Sequence, residues 1–163
     1  VQRVAHGTDC GVHDLGKTLQ AFDADTRAGG RTVRRAQPNE KFLALDGRTY
    51  PPDPKNLLIA DTQGGLAIGG VMGGEESGVS ATTRNVLLES ACFQPANIRR
   101  TAHELNLPSD ASYRFERGVD PAMVLPASER AAQLICEIAG GKQADETVVA
   151  GTLPAPPTGH SMR

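Results

Sequence analysis

Glu89 closes the apolar run Val86-Leu87-Leu88-Glu89-Ser90, a place where an unpaired carboxylate is expensive to bury. Such an acid caps a neighbouring backbone amide, pairs with an arginine, or is aimed into a pocket. The pattern alone leaves all three open. The second stretch with chemical potential is Gly69 to Gly78, GGVMGGEESG, five of whose ten residues are glycine. Glycine-rich loops cradle phosphates when a Walker-type lysine or an uncharged helix N-terminus follows them. Here Glu75 and Glu76 follow instead, and neither GxxxxGK[ST] nor a helix-opening G-x-G-x-x-G is present. A nucleotide site is therefore not expected. A tight turn or a close approach of something to the backbone is.

Other candidates are weaker. Asp110 and Ser112 in PSDASYRFERGVDP suit turn capping, and Arg114, Glu116, Arg117 and Asp120 alternate in charge as an ion-pair network does. No nucleophile stands out, because there is no G-x-S-x-G and neither Cys10 nor Cys92 has a spacing relation to a histidine. His6, His13, His103 and His160 make no H-x-x-x-H pair, and Cys10, Cys92 and Cys136 make no C-x-x-C. No metal site is expected. The scattered, odd cysteines fit packing roles in a reducing compartment.

The elements that must position these residues can be read from the apolar runs. RTVRRA and KFLAL read as short strands, and Asp46-Gly47 as a hairpin-type turn before RTY. NLLIAD and GLAIGGV, separated by DTQGG, read as strands of a buried sheet, as does RNVLLESA. In PANIRRTAHELN, Ile98, Thr101, Ala102 and Leu105 fall on one helical face, with Pro95 in the first turn. Ala131, Leu134, Ile135 and Ile138 repeat that spacing in SERAAQLICEIAGG, with Ser128 as N-cap and Gly140 as stop. Residues 1–19 read as loop with a possible short helix, and the proline-rich end as a linker. Strands first and helices afterwards predict an α+β fold. Residues 1–150 form one module on this reading, and 151–163 a linker or disordered tail.

Composition narrows the classes further. Aromatic residues are only 4% with no tryptophan, so the core must be aliphatic. A net charge of −2 excludes a generic basic nucleic-acid glove, although 13 of the 17 basic residues are arginine, which suits phosphate and carboxylate. Arg31, Arg34, Arg35, Arg99 and Arg100 read equally well as solvated faces. No apolar run approaches a membrane span, and a cytoplasmic module is expected.

Three stretches in order, GGVMGGEESGVSATTRNVLLESACFQPANIRRTAHELNL, SDASYRFERGVDP and SERAAQLICEIAGG, resemble the bacterial phenylalanyl-tRNA synthetase beta subunit. The resemblance lies in the module formed by its third and fourth domains. LQAFDAD and FLALDGRTY extend it, to roughly residues 15–142, whereas residues 1–14 match poorly. It implies a layered β-sandwich of unusual topology with flanking helices. It also implies an editing hydrolase that removes tyrosine wrongly esterified to the phenylalanine tRNA. ATP and magnesium would belong to the alpha subunit, leaving no cofactor here. The implied partners are that tRNA, the alpha subunit and the remainder of the beta subunit in an alpha2-beta2 tetramer, with tyrosine as editing ligand.

By position, Gly73 would line the amino-acid pocket and Glu89 would accept a hydrogen bond from the tyrosine hydroxyl. Ser109 and Ala111 would form a wall of small residues. An acceptor left unpaired by phenylalanine costs about 1–3 kcal/mol, which is the basis for discrimination. The family's LHAFD reads LQAFD here, so Gln20 replaces the pocket histidine. Glutamine can position a water or the tRNA terminus but cannot act as a general base. The rival reading is a structural, tRNA-positioning domain whose editing is weakened by Gln20. A free-standing amino-acid-binding module is a third.

Overall fold

Leu57-Leu58-Ile59-Ala60 and Gly65-Leu66-Ala67-Ile68 have no polar alternation, so strands built from them must be covered on both faces. The computed structural model describes residues 4, 5, 8, 15–26, 29–152 and 154. Its strands are β1 Leu19–Asp23, β2 Thr32–Arg35, β3 Phe42–Leu43, β4 Thr49–Tyr50, β5 Leu57–Ala60, β6 Gly65–Ile68, β7 Met72–Gly73 and β8 Val86–Ser90. The helices α1 Pro95–Glu104, α2 Asp110–Phe115 and α3 Val124–Ala139 follow. The expected α+β order is observed. Val4, Ala5, Thr8 and Leu15 are helical, whereas Cys10, His6, His13, His160 and most of the proline-rich end lie outside the described residues.

The central sheet runs β2-β5-β6-β7, antiparallel throughout. Leu58 and Ile68 join a core with Phe42, Ala44 and Tyr50 of the β3–β4 hairpin, Ile98 and Ala102 of α1, and Phe115 of α2. Ile59, Leu66 and Ala67 join a second cluster with Phe22 of β1. The sheet is thus a middle layer between helices and the β1–β8 ribbon. Isolated bridges, Phe22 to Gly78 and Ala44 to Gly74, stitch ribbon and hairpin to it.

Turn chemistry sets the connections. Asp46 accepts from Arg48 N at 3.0 Å and from the Tyr50 hydroxyl at 2.6 Å, while Gly47 takes φ 75°, a conformation L-residues avoid. Asp61 Oδ1 accepts from Gln63 N and Gly64 N, closing the β5–β6 turn. Fully buried Asn56 donates to Thr101 Oγ1 at 3.1 Å and accepts from Asp53 N at 2.8 Å, tying the proline loop to α1.

Helix α3 corrects one expectation. It begins at Val124, so Ser128 lies inside it and is not its N-cap. The reason lies upstream, where Asp120 Oδ1 accepts from Ala122 N at 2.9 Å and starts a 3-10 turn, Pro121–Met123, that runs straight into the helix. Fully buried Ala127 and Ala131 suit a close approach of α3, which lies against β8 and accepts from Ser90 Oγ at the Val124 carbonyl, 2.6 Å away. Gly140, at φ 77°, ends the helix as expected.

The glycine-rich stretch is packing, not a phosphate cradle. Gly70 turns the chain at φ 69°, and a Cβ there would lie 2.8 Å from Phe93 Cδ2 and 2.9 Å from Ile98 Cδ1. Gly74 pairs with Leu66, whose carbonyl would meet a Cβ at 2.7 Å. Glu75 and Glu76 sit exposed in a 3-10 turn. Gly70→Ala combines a disfavoured backbone conformation with a clash against two core side chains. It is expected to destabilise the fold by about 1–3 kcal/mol, measured as a lower urea or thermal midpoint.

Candidate functional site

Antiparallel pairing sets Gln20 of β1 directly opposite Glu89 of β8. Directly opposed residues project to the same face with their Cβ atoms about 5 Å apart. Both side chains are half-buried. Gln20 also reaches β7, since its Nε2 lies 3.1 Å from the position a Gly73 Cβ would take. Gln20 therefore links Glu89 and Gly73, although the three come from strands far apart in the chain.

The Glu89 carboxyl makes no hydrogen bond or ion pair with any described residue. Among the described residues it is neither a backbone cap nor an arginine partner, two of the three roles open to it. Desolvation by the protein packed around it pushes its carboxyl up to about 7. Near neutral pH the group therefore exists in both forms, as ionised acceptor and as neutral acid. Gln20, which has no titratable group, supplies an amide that can orient a water or a hydroxyl.

Ser109 and Ala111 approach from the helix side. Ser109 N-caps α2 in a capping box, accepting from Ser112 N at 3.0 Å while Ser112 Oγ accepts from Ser109 N at 2.9 Å. Its hydroxyl donates to Val71 O at 2.6 Å, two residues before Gly73. That hydroxyl is thus committed to structure. Ala111 is half-buried against the helix-side core, as is Met72 beside Gly73. The structure joins Ser109 and Ala111 to the segment carrying Gly73, not directly to the Gln20–Glu89 pair. Ser112, one of the two expected turn caps, serves in this box, and Asp110 lies in the helix's first turn.

Two cavities form elsewhere. One of about 300 Å³ is walled by Lys17, Tyr113, Arg114, Arg117 and neighbours, and one of about 230 Å³ by Lys41, Phe42, Gln63, Gly74, Glu76 and neighbours. Neither is lined by Gln20, Gly73, Glu89, Ser109 or Ala111. Over Gly73 lies Leu45, whose Cδ1 is 2.9 Å from the position of a Cβ. Leu45 is 52% exposed and bonded through its N to Gly73 O at 3.0 Å. The sequence reading missed it, and an apolar residue stranded beside the Asp46-Gly47 turn was the available signal. Of the alternating charges, only Arg117 and Glu116 pair, at 2.6 Å, among the described residues. Arg34 binds Glu40 through both terminal nitrogens, and Arg100 lies against Glu104 and Asn97, as local surface partners do. No metal-binding cluster occurs among the described residues.

This arrangement can be set beside known proteins. Residues 4–140 match the family model described as B3/4 domain. The chain belongs to the B3/4 domain family. The match covers the stretches that carried the resemblance. This B3/4 domain is 47% identical over 156 residues to the phenylalanine–tRNA ligase beta subunit of Anaeromyxobacter dehalogenans (strain 2CP-C), covering 95% of the chain and 19% of that relative. It is 45% identical over 143 residues to the same subunit of Nitrobacter winogradskyi, covering 88% and 18%. With that of Geobacter metallireducens it shares 43% over 157 residues, covering 96% and 20%. The chain spans about a fifth of the length of these relatives. No helix among the described residues of the B3/4 domain is long and apolar enough to cross a membrane.

Glu89 has a consequence for stability. Its carboxyl titrates near 4.5 in the unfolded chain and near 7 in the fold, so the native state holds the proton more tightly. The associated stability is present below the lower value and lost as pH rises through the higher one. Glu89→Gln removes this dependence. The variant is expected to gain roughly 1–3 kcal/mol over the parent at pH 8, relative to their difference at pH 4, read from urea unfolding at both values.

Proposed function

We propose that this B3/4 domain is the editing module of a phenylalanine–tRNA ligase beta subunit, hydrolysing the ester of tyrosine mischarged onto phenylalanine tRNA in the cytoplasm. One observation carries the proposal. The Glu89 carboxyl stands half-buried and without a partner among the described residues, across the strand pair from Gln20, whose amide reaches Gly73. A fold leaves such an acceptor unsatisfied at a cost, and a ligand hydroxyl offsets that cost. Tyrosine donates its hydroxyl to Glu89. Phenylalanine has none, so its entry leaves the acceptor desolvated and unpaired. For the ring to lie beside Gly73, Leu45 and the Gln20 amide must swing aside, and Ala111 and the Ser109 backbone would then bound it from the helix side.

Hydrolysis then requires a water placed at the ester carbonyl. Gln20 holds it through its amide, and the neighbouring hydroxyl of the terminal ribose assists. The water oxygen adds to the carbonyl carbon and the bond to the ribose oxygen breaks. One water proton passes to that oxygen, and free tyrosine leaves. Aminoacylation, with its ATP and magnesium, belongs to the alpha subunit. The alpha subunit and the rest of the beta subunit, in an alpha2-beta2 assembly, hold the body of the tRNA.

A second reading draws on Leu45. Its Cδ1 and the Gln20 amide occupy the space over Gly73, which suits a domain that positions tRNA and no longer clears tyrosine. The full synthetase carrying this segment separates the two. Under the editing reading it deacylates tyrosyl-tRNA for phenylalanine, and Glu89→Ala lowers that rate about 10- to 100-fold, the range of a lost charged hydrogen bond. Failure of the unmodified enzyme to clear tyrosine would establish the second reading.

A further inference from the structure

The wall of the larger cavity contains a lysine that the editing reading leaves unused. Lys17 is 1% exposed, and its ammonium has no hydrogen-bond partner among the described residues. The nitrogen sits 5.8 Å from the centre of the Phe115 ring. Burial holds its pKa below the ordinary lysine value, with Cys92 and Asp120 acting in the opposite direction. An ammonium carries three donors, and a buried one left unmet is among the costlier features a fold can keep.

The residues around it share a chemistry. Arg114 is half-buried, and its guanidinium makes no hydrogen bond or ion pair with any described residue. Arg117 lays its guanidinium 3.4 Å from the centre of the Tyr113 ring, while its Nη1 donates to Tyr113 O and to Glu116 Oε1. Tyr113 itself is 60% exposed. Asp120 is the one carboxylate on the wall, and its Oδ1 already accepts from Ala122 N. Three cations against one acid make this wall positive in a chain whose net charge is −2.

We propose that the cavity between Leu15–Lys17 and Tyr113–Met123 binds a phosphate group, supplied by the backbone of an RNA strand whose base stacks on Tyr113. The Arg114 guanidinium fork, unpaired among the described residues, matches a phosphate's acceptor oxygens, and the Lys17 ammonium, enclosed just behind the wall, adds its charge. An exposed aromatic ring backed by arginine is the platform on which single-stranded bases stack. Lys17 also lies only three residues before Gln20, so their backbones are at most about 11 Å apart. A strand held at Lys17 would therefore reach the Gln20–Glu89 pair within a few nucleotides. The assignment of RNA rests on the editing reading. The phosphate chemistry does not.

The test uses the full-length protein that carries this chain. Fluorescence anisotropy with a labelled single-stranded RNA oligonucleotide is followed across a salt series, and melting is followed with and without inorganic phosphate. Arg114→Ala and Lys17→Met should each weaken RNA binding roughly three- to thirtyfold, and each should lower the slope of log affinity against log salt by about 0.7. Tyr113→Ala should weaken binding about tenfold and leave the slope unchanged. A phosphate-induced rise in melting temperature that disappears in Arg114→Ala, with RNA binding unaltered, would keep the phosphate site and assign it to the free ion. Parental RNA affinity, salt slope and phosphate response in Arg114→Ala would overturn the proposal, whether or not Lys17→Met folds. A protein that does not clear tyrosine, yet whose Arg114→Ala variant loses RNA affinity and salt slope, would leave this site standing while the editing reading fails.

Discussion

The pairing of β1 with β8 is the constraint on which the candidate site depends. It joins residues separated by about seventy positions and sets Gln20 beside Glu89. A slip of one residue in either strand would turn that strand's side chain to the opposite face and part the pair. Several contacts oppose such a slip. Phe22, 1% exposed, is locked into the cluster under the central sheet. Beyond the strand end, Ala24 N donates to Asn85 O, Asp25 accepts from Asn85 Nδ2, and Asp23 accepts from Thr83 Oγ1. At the other end Ser90 is bonded to the start of α3. The polar groups at both ends thus fix the register, and one aromatic ring fixes which face is buried.

Two ionisable side chains depart from the rule that buried charge is paired, and both flank this ribbon. Glu89 lies on β8 and Lys17 just ahead of β1, and desolvation moves each toward its neutral form. Natural folds keep such departures where binding or chemistry compensates for them. Elsewhere unmet groups are partial or uncharged: Arg31 Nε, Asp61 Oδ2 and Thr18 Oγ1 are buried without partners, but Arg31 and Asp61 keep bonds through Nη1 and Oδ1. Asn56, fully buried, bonds to Asp53 N, Thr101 and Glu104, and Ser77 donates to Leu66 O. Glu89 and Lys17 differ from Arg31 and Asp61 in that no atom of their charged group has a hydrogen-bond partner among the described residues.

How much of this was legible depended on whether the signal was local. The β3–β4 hairpin, the β5 and β6 runs and both longer helices follow from apolar spacing and turn residues, and they appear where those features place them. The strand β1 was not legible, because Gln20 interrupts its apolar pattern and its partner lies far along the chain. The two-residue β7 is too short to carry a period. Helix α2 has six residues and is held by a capping box between Ser109 and Ser112, a feature that reads equally well as a turn. Ser128 misled because good capping residues also occur within helices, where the upstream Asp120-Pro121 turn decides the start. Glu89 was singled out by the cost of burying an acid in an apolar strand, whereas Gln20 and Gly73 were reachable only through resemblance. Lys17 carried no signal at all, since nothing local distinguishes a buried lysine from a solvated one.

The bond from the Ser109 hydroxyl to Val71 O spans 38 positions and fastens the first turn of α2 to the turn ahead of Gly73. It makes the helix that bears Tyr113 and Arg114 and the strand that bears Gly73 a single mechanical unit. Val71 and Met72 also share a core with Ala111 and Phe115, so the bond adds a fixed polar point to an apolar contact. The two regions are therefore set to move in step, like the ends of a lever whose pivot is a serine.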